Sequence, residues 1–239
     1  MNDRNYPLLT KLFLDLEVEL HPTSMSFGVE TDYLKWCSND FLKLKFLRSL
    51  KKIRLFFEMI RFNSLASDVK SNSSIEDWLR ENNFSDFFRE NYIFPMSASI
   101  WSSSQESINK FPMRSLSSFF KNHGLLDLIK RPQWFSVLGG SNTYIDKIIK
   151  KSQIKNLFLN AQVSINREEE KVLVQNNDIT NQYDAIIFAC HANQIEEVLT
   201  DISSKEEEAL SMFEYTNNKV LLHTDSTLMP EEKSLWSSW

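Results

Sequence analysis

Glycine is scarce in this chain: 239 residues contain four, Gly28, Gly124, Gly139 and Gly140. Neither a G-x-G-x-x-G turn nor a G-x-x-x-x-G-K-[ST] phosphate loop can be assembled from them. Cysteine is scarcer still. Cys37 and Cys190 cannot make a disulfide framework, neither belongs to a C-x-x-C, and they fit a reducing, cytosolic setting. The four histidines, His21, His123, His191 and His223, are scattered, so a structural zinc site lacks its ligand spacing. Positive charge is also short, with a net charge of −5 and a pI near 5.5. That argues against nucleic acid as the main partner, because phosphate binding needs a concentrated positive field. No run of eighteen apolar residues occurs, so a membrane-spanning helix is not expected. The opening MNDRNYPLLTKLF lacks the apolar core and small-residue cleavage site of a signal peptide.

What is present is apolar and aromatic. Hydrophobic residues make up 42% of the chain and aromatics 13%, with 18 phenylalanines. That supplies a sizeable core or an apolar pocket, within a length that suits one large domain or two smaller ones. Pro7 to Leu16 reads as a helix. Met25–Glu30 and Tyr33–Cys37 read as strands joined by a Thr31-Asp32 turn. Leu42, Phe46, Leu50, Ile53, Phe57 and Ile60 then recur at steps of three and four, predicting a helix that buries this arc. Lys43, Lys45, Arg48, Lys51, Lys52, Arg54 and Arg61 flank the arc as one basic face in an acidic chain. Ser74 suits an N-cap, with Glu76 and Asp77 in the first turn. Residues 84–122 predict short, aromatic-rich helices broken at Pro95 and Pro112.

After Pro132 the texture changes. Trp134–Leu138 predicts a strand running into Gly139-Gly140, with Ser141 capping a helix over 143–151. Strands are expected at 157–159, around Val163 and Ile165, around Val172 and Val174, at Ala185–Ala189 and at Lys219–His223. Helices are expected near 192–199 and 205–213. This mixture is an α/β pattern.

Three places invite a chemical reading. Cys190-His191 closes an apolar strand. As a nucleophile dyad it is poor, since adjacent residues on extended backbone point apart and a thiol needs a base placed by the fold. As a strand carboxyl end it is where open α/β sheets bind ligands. Cys190, with no cation nearby in sequence, is expected partly buried and inert. Gly139-Gly140 lets backbone approach a ligand at a helix start, or is simply a tight turn. His223 with Asp225 reads as an acid–base pair or a structural hydrogen bond.

The phrases NDRNYPLLTKLF, MSFGVE, FPMSASIW, FFKNHGLL, RPQWFSVLGGSNTYI, YDAIIFACHANQ and VLLHTDSTLMP…WSSW, in that order over nearly the whole chain, resemble the flavin-containing amine oxidoreductase superfamily. They are most similar to its bacterial group of predicted NAD/FAD-binding proteins, whose plant relatives are fused to cyclopropane-fatty-acid-synthase-like domains. The resemblance implies an α+β substrate domain interleaved with part of an FAD-binding Rossmann-like domain. Residues 1–134 would form the substrate side, 135–203 part of the FAD domain, and 204–239 the return to the substrate side. It implies an FAD-dependent oxidoreductase acting on an apolar substrate, lipid-like or polyene included. FAD contacts would fall at Val163, Ala189, Cys190, Gly139 and Gly140, and substrate contacts at Trp101 and His223, with no metal. The chain departs from the family in lacking G-x-G-x-x-G and its downstream acidic residue, so a middle fragment of a longer protein is expected. Expected partners are an apolar small molecule or lipid, with no nucleic acid and no obligate protein partner. The expected location is the cytoplasm, with peripheral contact at the inner membrane surface through the basic helix. The alternative reading is a membrane-surface or partner-binding helical module without catalysis.

Overall fold

The structure is a computed structural model that describes residues 1–41, 43, 48–127, 131–215 and 217–239. The chain divides into two compact units, Met1–Ser152 with Leu222–Trp239, and Gln153–Leu221. Helices and small antiparallel sheets share the chain, the α/β mixture read from the sequence.

In the first unit, α1 (Pro7–Asp15) starts on a proline, whose fixed φ and missing N–H suit the first helical position. It buries Phe13. Strand β1 (Leu20–Thr23) pairs antiparallel with β4 (Trp134–Val137), Leu20 opposite Val137. The sequence did not signal β1. Pro22 lies within it, which a two-stranded sheet tolerates because one edge has no ladder to complete. Strands β2 (Gly28–Glu30) and β3 (Lys35–Cys37) form the expected hairpin. Its turn is closed by the Thr31 N–H donating to the Leu34 carbonyl.

Helix α2 (Leu50–Leu65) corrects the sequence reading. Of the expected arc, Leu42 and Phe46, and with them Lys45 of the basic face, lie outside the described residues. Within the helix, Leu55, Met59 and Phe62 are buried. Leu50 and Phe57 are instead 84% and 65% exposed, and Ile60 is exposed at 38%. The periodicity was right and the face was wrong. At 100° per residue the two apolar sets lie roughly 170° apart. The helix is apolar on both sides, and Phe62 meets the larger cluster of rings.

Helix α3 (Ile75–Glu81) is capped by Ser74, whose Oγ accepts from the Asp77 N–H at 3.1 Å. Pro95 does not break the next run. Helix α4 (Asp86–Phe88), a π-helical turn (Arg89–Ile93) and α5 (Phe94–Trp101) follow one another directly. Proline lacks a donor and clashes with the carbonyl four residues back, and the wider π turn just ahead of Pro95 accommodates both. Helices α6 (Gln105–Lys110) and α7 (Met113–Asn122) complete the layer, with Pro112 at the N-cap of α7. The core is a ring cluster. Phe62 sits fully buried against Trp78, Phe84, Phe88 and Phe120 at centroid distances of 5.9, 5.9, 5.7 and 6.2 Å. After β4, Gly139 and Gly140 take φ of 78° and 84°, a left-handed turn that side chains resist. Helix α8 (Asn142–Lys151) follows. Ser141 occupies its N-cap without a side-chain bond, and the Thr143 hydroxyl donates to the Gly140 carbonyl instead.

The second unit is a three-stranded meander, β5 (Val163–Arg167), β6 (Val172–Asn176) and β7 (Ile179–Tyr183), with helices α9 (Ala192–Val198) and α10 (Ser204–Ser211). Ile165, Val172 and Leu199 form its small core, with Ile186 and Phe188 packed against them. Strand β7, ITNQY, is exposed throughout. Its lack of apolar alternation hid it, while Asn177 at φ 53° makes the turn that folds it onto β6. Arg167 ties the meander to α10, donating to Asp201 at 2.8 Å and to both Glu206 carboxylate oxygens at 2.5 and 2.9 Å.

The expected strands at 157–159, 185–189 and 219–223 do not form. A strand needs neighbours for its backbone groups, and among the described residues none pairs with these segments. Period-two alternation survives at 185–189 nonetheless. Ile186 and Phe188 turn inward and Ile187 is 91% exposed.

Candidate functional site

One recess in the first unit is built almost wholly from rings. Tyr6 precedes α1, Met25 and Phe27 precede β2, Ile100 and Trp101 end α5, Phe119 and His123 end α7, and Trp134 opens β4. Leu125 and Trp239 complete the wall. The volume is about 220 Å³, room for a small ring or the end of a longer apolar chain. Other recesses in this unit, one bounded by Ser67, Asp68, Arg114 and Lys121 and one by Arg4, Asn5 and Asn122, are polar.

The rings order one another. Trp101 lies 5.0 Å from Phe111 and 5.0 Å from Phe119, both tilted. Tyr6 meets Trp134 edge-on at 6.3 Å, and Phe27 stacks on Trp239 at 6.0 Å. Such offset and edge contacts follow the ring quadrupole. Trp239 is held by backbone as well, its N–H donating to the Ser26 carbonyl and its carbonyl accepting from Gly28.

His123 is the polar exception. Its ring stacks on Phe119 at 3.9 Å and lies nearly parallel to Trp134 at 6.4 Å. Its Nδ1 is 2.9 Å from the Phe119 carbonyl one helical turn back. A carbonyl oxygen only accepts, so Nδ1 carries a proton at this contact, which leaves Nε2 as the other ring nitrogen. Among the described residues no carboxylate lines the recess. Sequence reasoning missed His123, Tyr6, Trp134 and Trp239. The one local signal was FFKNHG, which places Phe119 and His123 four apart at a helix end closed by Gly124 in the left-handed region, φ 67°.

Of the substrate residues expected from sequence, Trp101 lines this recess. His223 is exposed and is not part of it. Asp225, its suggested partner, accepts from the Thr227 N–H and hydroxyl at 2.9 and 2.7 Å. Those bonds hold its carboxyl below the usual carboxylate range, so Asp225 is committed to closing a local turn.

Gly139 and Gly140 belong to the first unit, and Val163, Ala189 and Cys190 to the second. A Cβ on Gly140 would meet nothing within 4 Å, so its backbone is open. Val163 starts β5 half-buried. Ala189 and Cys190 are exposed, which corrects the expected burial of Cys190: without a ladder, the segment leaves its outward positions in solvent. His191 is occupied elsewhere. Its side chain accepts from the Gln194 N–H in a capping box, and its ring stacks on Tyr215 at 4.6 Å. A base engaged on both counts does not serve Cys190. Among the described residues no cluster of His, Cys, Asp or Glu is disposed to hold a metal ion.

No protein-family model matches the chain, and no curated protein does. Solved structures do. Putrescine oxidase bound to putrescine aligns with 88% of this chain and 51% of its own, at a TM-score of 0.60 and 14% identity. A putrescine oxidase variant redesigned for cofactor binding aligns with 87% of this chain and 50% of its own, at 0.58 and 13%. Cyclohexylamine oxidase from Brevibacterium oxydans aligns with 85% and 49%, at 0.60 and 14%. The chain thus spans about half the length of the solved structures it matches. Over that span it has the fold of the flavin-containing amine oxidases, the fold that the sequence resemblance implied.

Proposed function

We propose that this chain is part of an FAD-dependent oxidoreductase whose substrate is apolar and enters through the ring-lined recess. The observation that carries the reading is the alignment of 85–88% of the chain with amine oxidases. The recess supports an apolar substrate class. Its wall buries an apolar group by contact, and among the described residues it has no carboxylate to pair a second ammonium, whose burial unpaired is strongly unfavourable. A molecule with two cationic ends therefore fits badly, and an apolar body with one polar end fits well. Trp101 and Phe119 would hold the body. The Nε2 of His123 would accept a hydrogen bond from the polar end.

Of the residues that the sequence resemblance assigns to FAD, Gly139 and Gly140 offer open backbone within the first unit, and Val163 and the Ala189-Cys190 backbone lie within the second. The principal glycine-rich pyrophosphate turn is absent from the sequence. Bound FAD would supply hydride acceptance. This chain's part would be to bind, orient and exclude water around the reacting carbon.

The test uses the native protein containing this chain. It is expected to release FAD on denaturation. Its flavin absorbance is expected to bleach anaerobically with cyclohexylamine at concentrations where putrescine does nothing. Trp101→Ala is expected to raise KM for the apolar amine about tenfold with kcat little changed, the mark of lost binding. Absence of flavin overturns the oxidoreductase reading. Preference for putrescine overturns the assignment of the recess.

A further inference from the structure

We infer that the outward face of α2 is a docking surface for an anionic lipid bilayer. Leu50, Ile53, Phe57 and Ile60 fall within about 80° of the helix circumference, opposite the buried Leu55, Met59 and Phe62. Leu50 and Phe57 are the most solvent-exposed of the four, at 84% and 65%. Among the described residues neither belongs to the buried core, and Phe57 meets the Phe56 ring edge-on at 6.4 Å. Tyr33, also exposed, stands beside the helix start, its carbonyl accepting from Lys51 Nζ at 3.3 Å.

Charge identifies the occupant. From Arg48 to Leu65 the chain carries Arg48, Lys51, Lys52, Arg54 and Arg61 against a single anion, Glu58, while the whole protein is at −5. Arg54 pairs with Glu58 at 3.2 Å and lies over the Phe87 ring. Arg61 lies over Phe84 and donates to the Asn82 and Asn83 carbonyls. These contacts orient the two guanidinium groups along one border of the stripe. An apolar stripe bordered by cations is the pattern of a helix lying in the headgroup plane. An anionic bilayer meets the stripe with attraction at the cations and burial at Leu50 and Phe57.

The experiment is co-sedimentation of the chain with phosphatidylcholine vesicles, with and without phosphatidylglycerol. Binding is expected to the mixed vesicles and to weaken with salt. Lys51→Gln is expected to lower partitioning about fivefold at low salt. Leu50→Ser with Phe57→Ser is expected to lower it at least tenfold with circular dichroism unchanged, since neither side chain enters the core. Sedimentation equilibrium is run alongside. No sedimentation with either vesicle, equal binding to neutral vesicles, or undiminished binding by the Leu50/Phe57 variant overturns the inference. So does a dimer that these two substitutions dissolve in the absence of lipid.

Discussion

Two phenylalanines five residues apart on α2 give the sharpest test of the first unit. Phe62 is fully buried and touches four rings, with Trp78 edge-on at 5.9 Å and an interplanar angle of 89°. Phe57 is 65% exposed. Replacing a buried phenylalanine with alanine removes its transfer energy and leaves a cavity, about 3–5 kcal/mol in all. A domain holds about 5–15 kcal/mol in total, so Phe62→Ala should remove about a fifth or more of the unit's stability. Phe57→Ala removes little contact and gains helix propensity, so its effect should stay within about 0.5 kcal/mol.

The assay is urea unfolding followed by tryptophan fluorescence. All six tryptophans, Trp36, Trp78, Trp101, Trp134, Trp236 and Trp239, lie in the first unit, so the signal reports that unit alone. With a slope of about 2–3 kcal/mol per molar urea, Phe62→Ala should lower the midpoint by roughly 1–2 M. Phe57→Ala should leave it in place. If Phe57→Ala proved as damaging as Phe62→Ala, or Phe62→Ala lost under about 1 kcal/mol, the face assignment would be wrong. The docking inference would fall with it.

The remaining expectations concern other parts of the chain. Cys190→Ser should leave turnover within about twofold, because Cys190 is exposed and His191 is committed to its cap and to Tyr215; loss of turnover with fold and flavin intact would refute this. In the second unit, Glu206 is held well below the usual carboxylate range by the Arg167 bonds and then by Ser203. For Asp201, burial pulls upward, but its bonds from Arg167 outweigh it and leave the carboxyl lowered. Depressed carboxylates stabilise the fold above their unfolded value and lose that contribution as pH falls through the folded one. Amide protection in β5 and α10 should therefore decline below about pH 4, and Arg167→Gln should abolish that dependence; an identical acid profile in the variant would refute the clamp. A Cβ on Gly28 would run into the Leu235 carbonyl, so Gly28→Ala should displace the segment that carries Trp239, at about 1–3 kcal/mol. Faster hydrogen exchange at 235–239 is the readout, and unchanged exchange would count against that packing.

Local chemistry was legible wherever a local rule decides the outcome. Pro7 starts a helix, Ser74 caps one, and Gly139-Gly140 ends β4 in left-handed turns. What failed was any question that a distant residue answers. The α2 pattern has two apolar faces, and sequence alone gives no reason to prefer Phe62 over Phe57. The choice is made by Trp78, Phe84, Phe88 and Phe120, sixteen or more residues away along the chain. Strand β1 was hidden for the same reason, since its partner begins at Trp134. Pro95 failed differently: the rule that proline interrupts a helix held, and the interruption took the form of a π turn rather than an end.

The segments 157–159, 185–189 and 219–223 show what an apolar strand pattern does and does not encode. Alternation at Ile186, Ile187 and Phe188 records which side chains seek an interior, and two of the three find one. It carries no information about the neighbouring backbone, and a ladder exists only where both partners are present. The recess is the opposite case. Tyr6, Trp101, Trp134 and Trp239 share no spacing, motif or element with one another or with the Phe119–His123 pair at the end of α7. Each is explained locally as a cap, a helix end, a strand start or a turn. Their convergence is set by packing of α1, α5, α7 and β4, so the site becomes visible only once those elements are in place. His123 makes the point most sharply. In sequence it is a lone histidine before a glycine. In the fold it is an imidazole pressed on Phe119, with one nitrogen spent on a carbonyl and the other left for whatever enters.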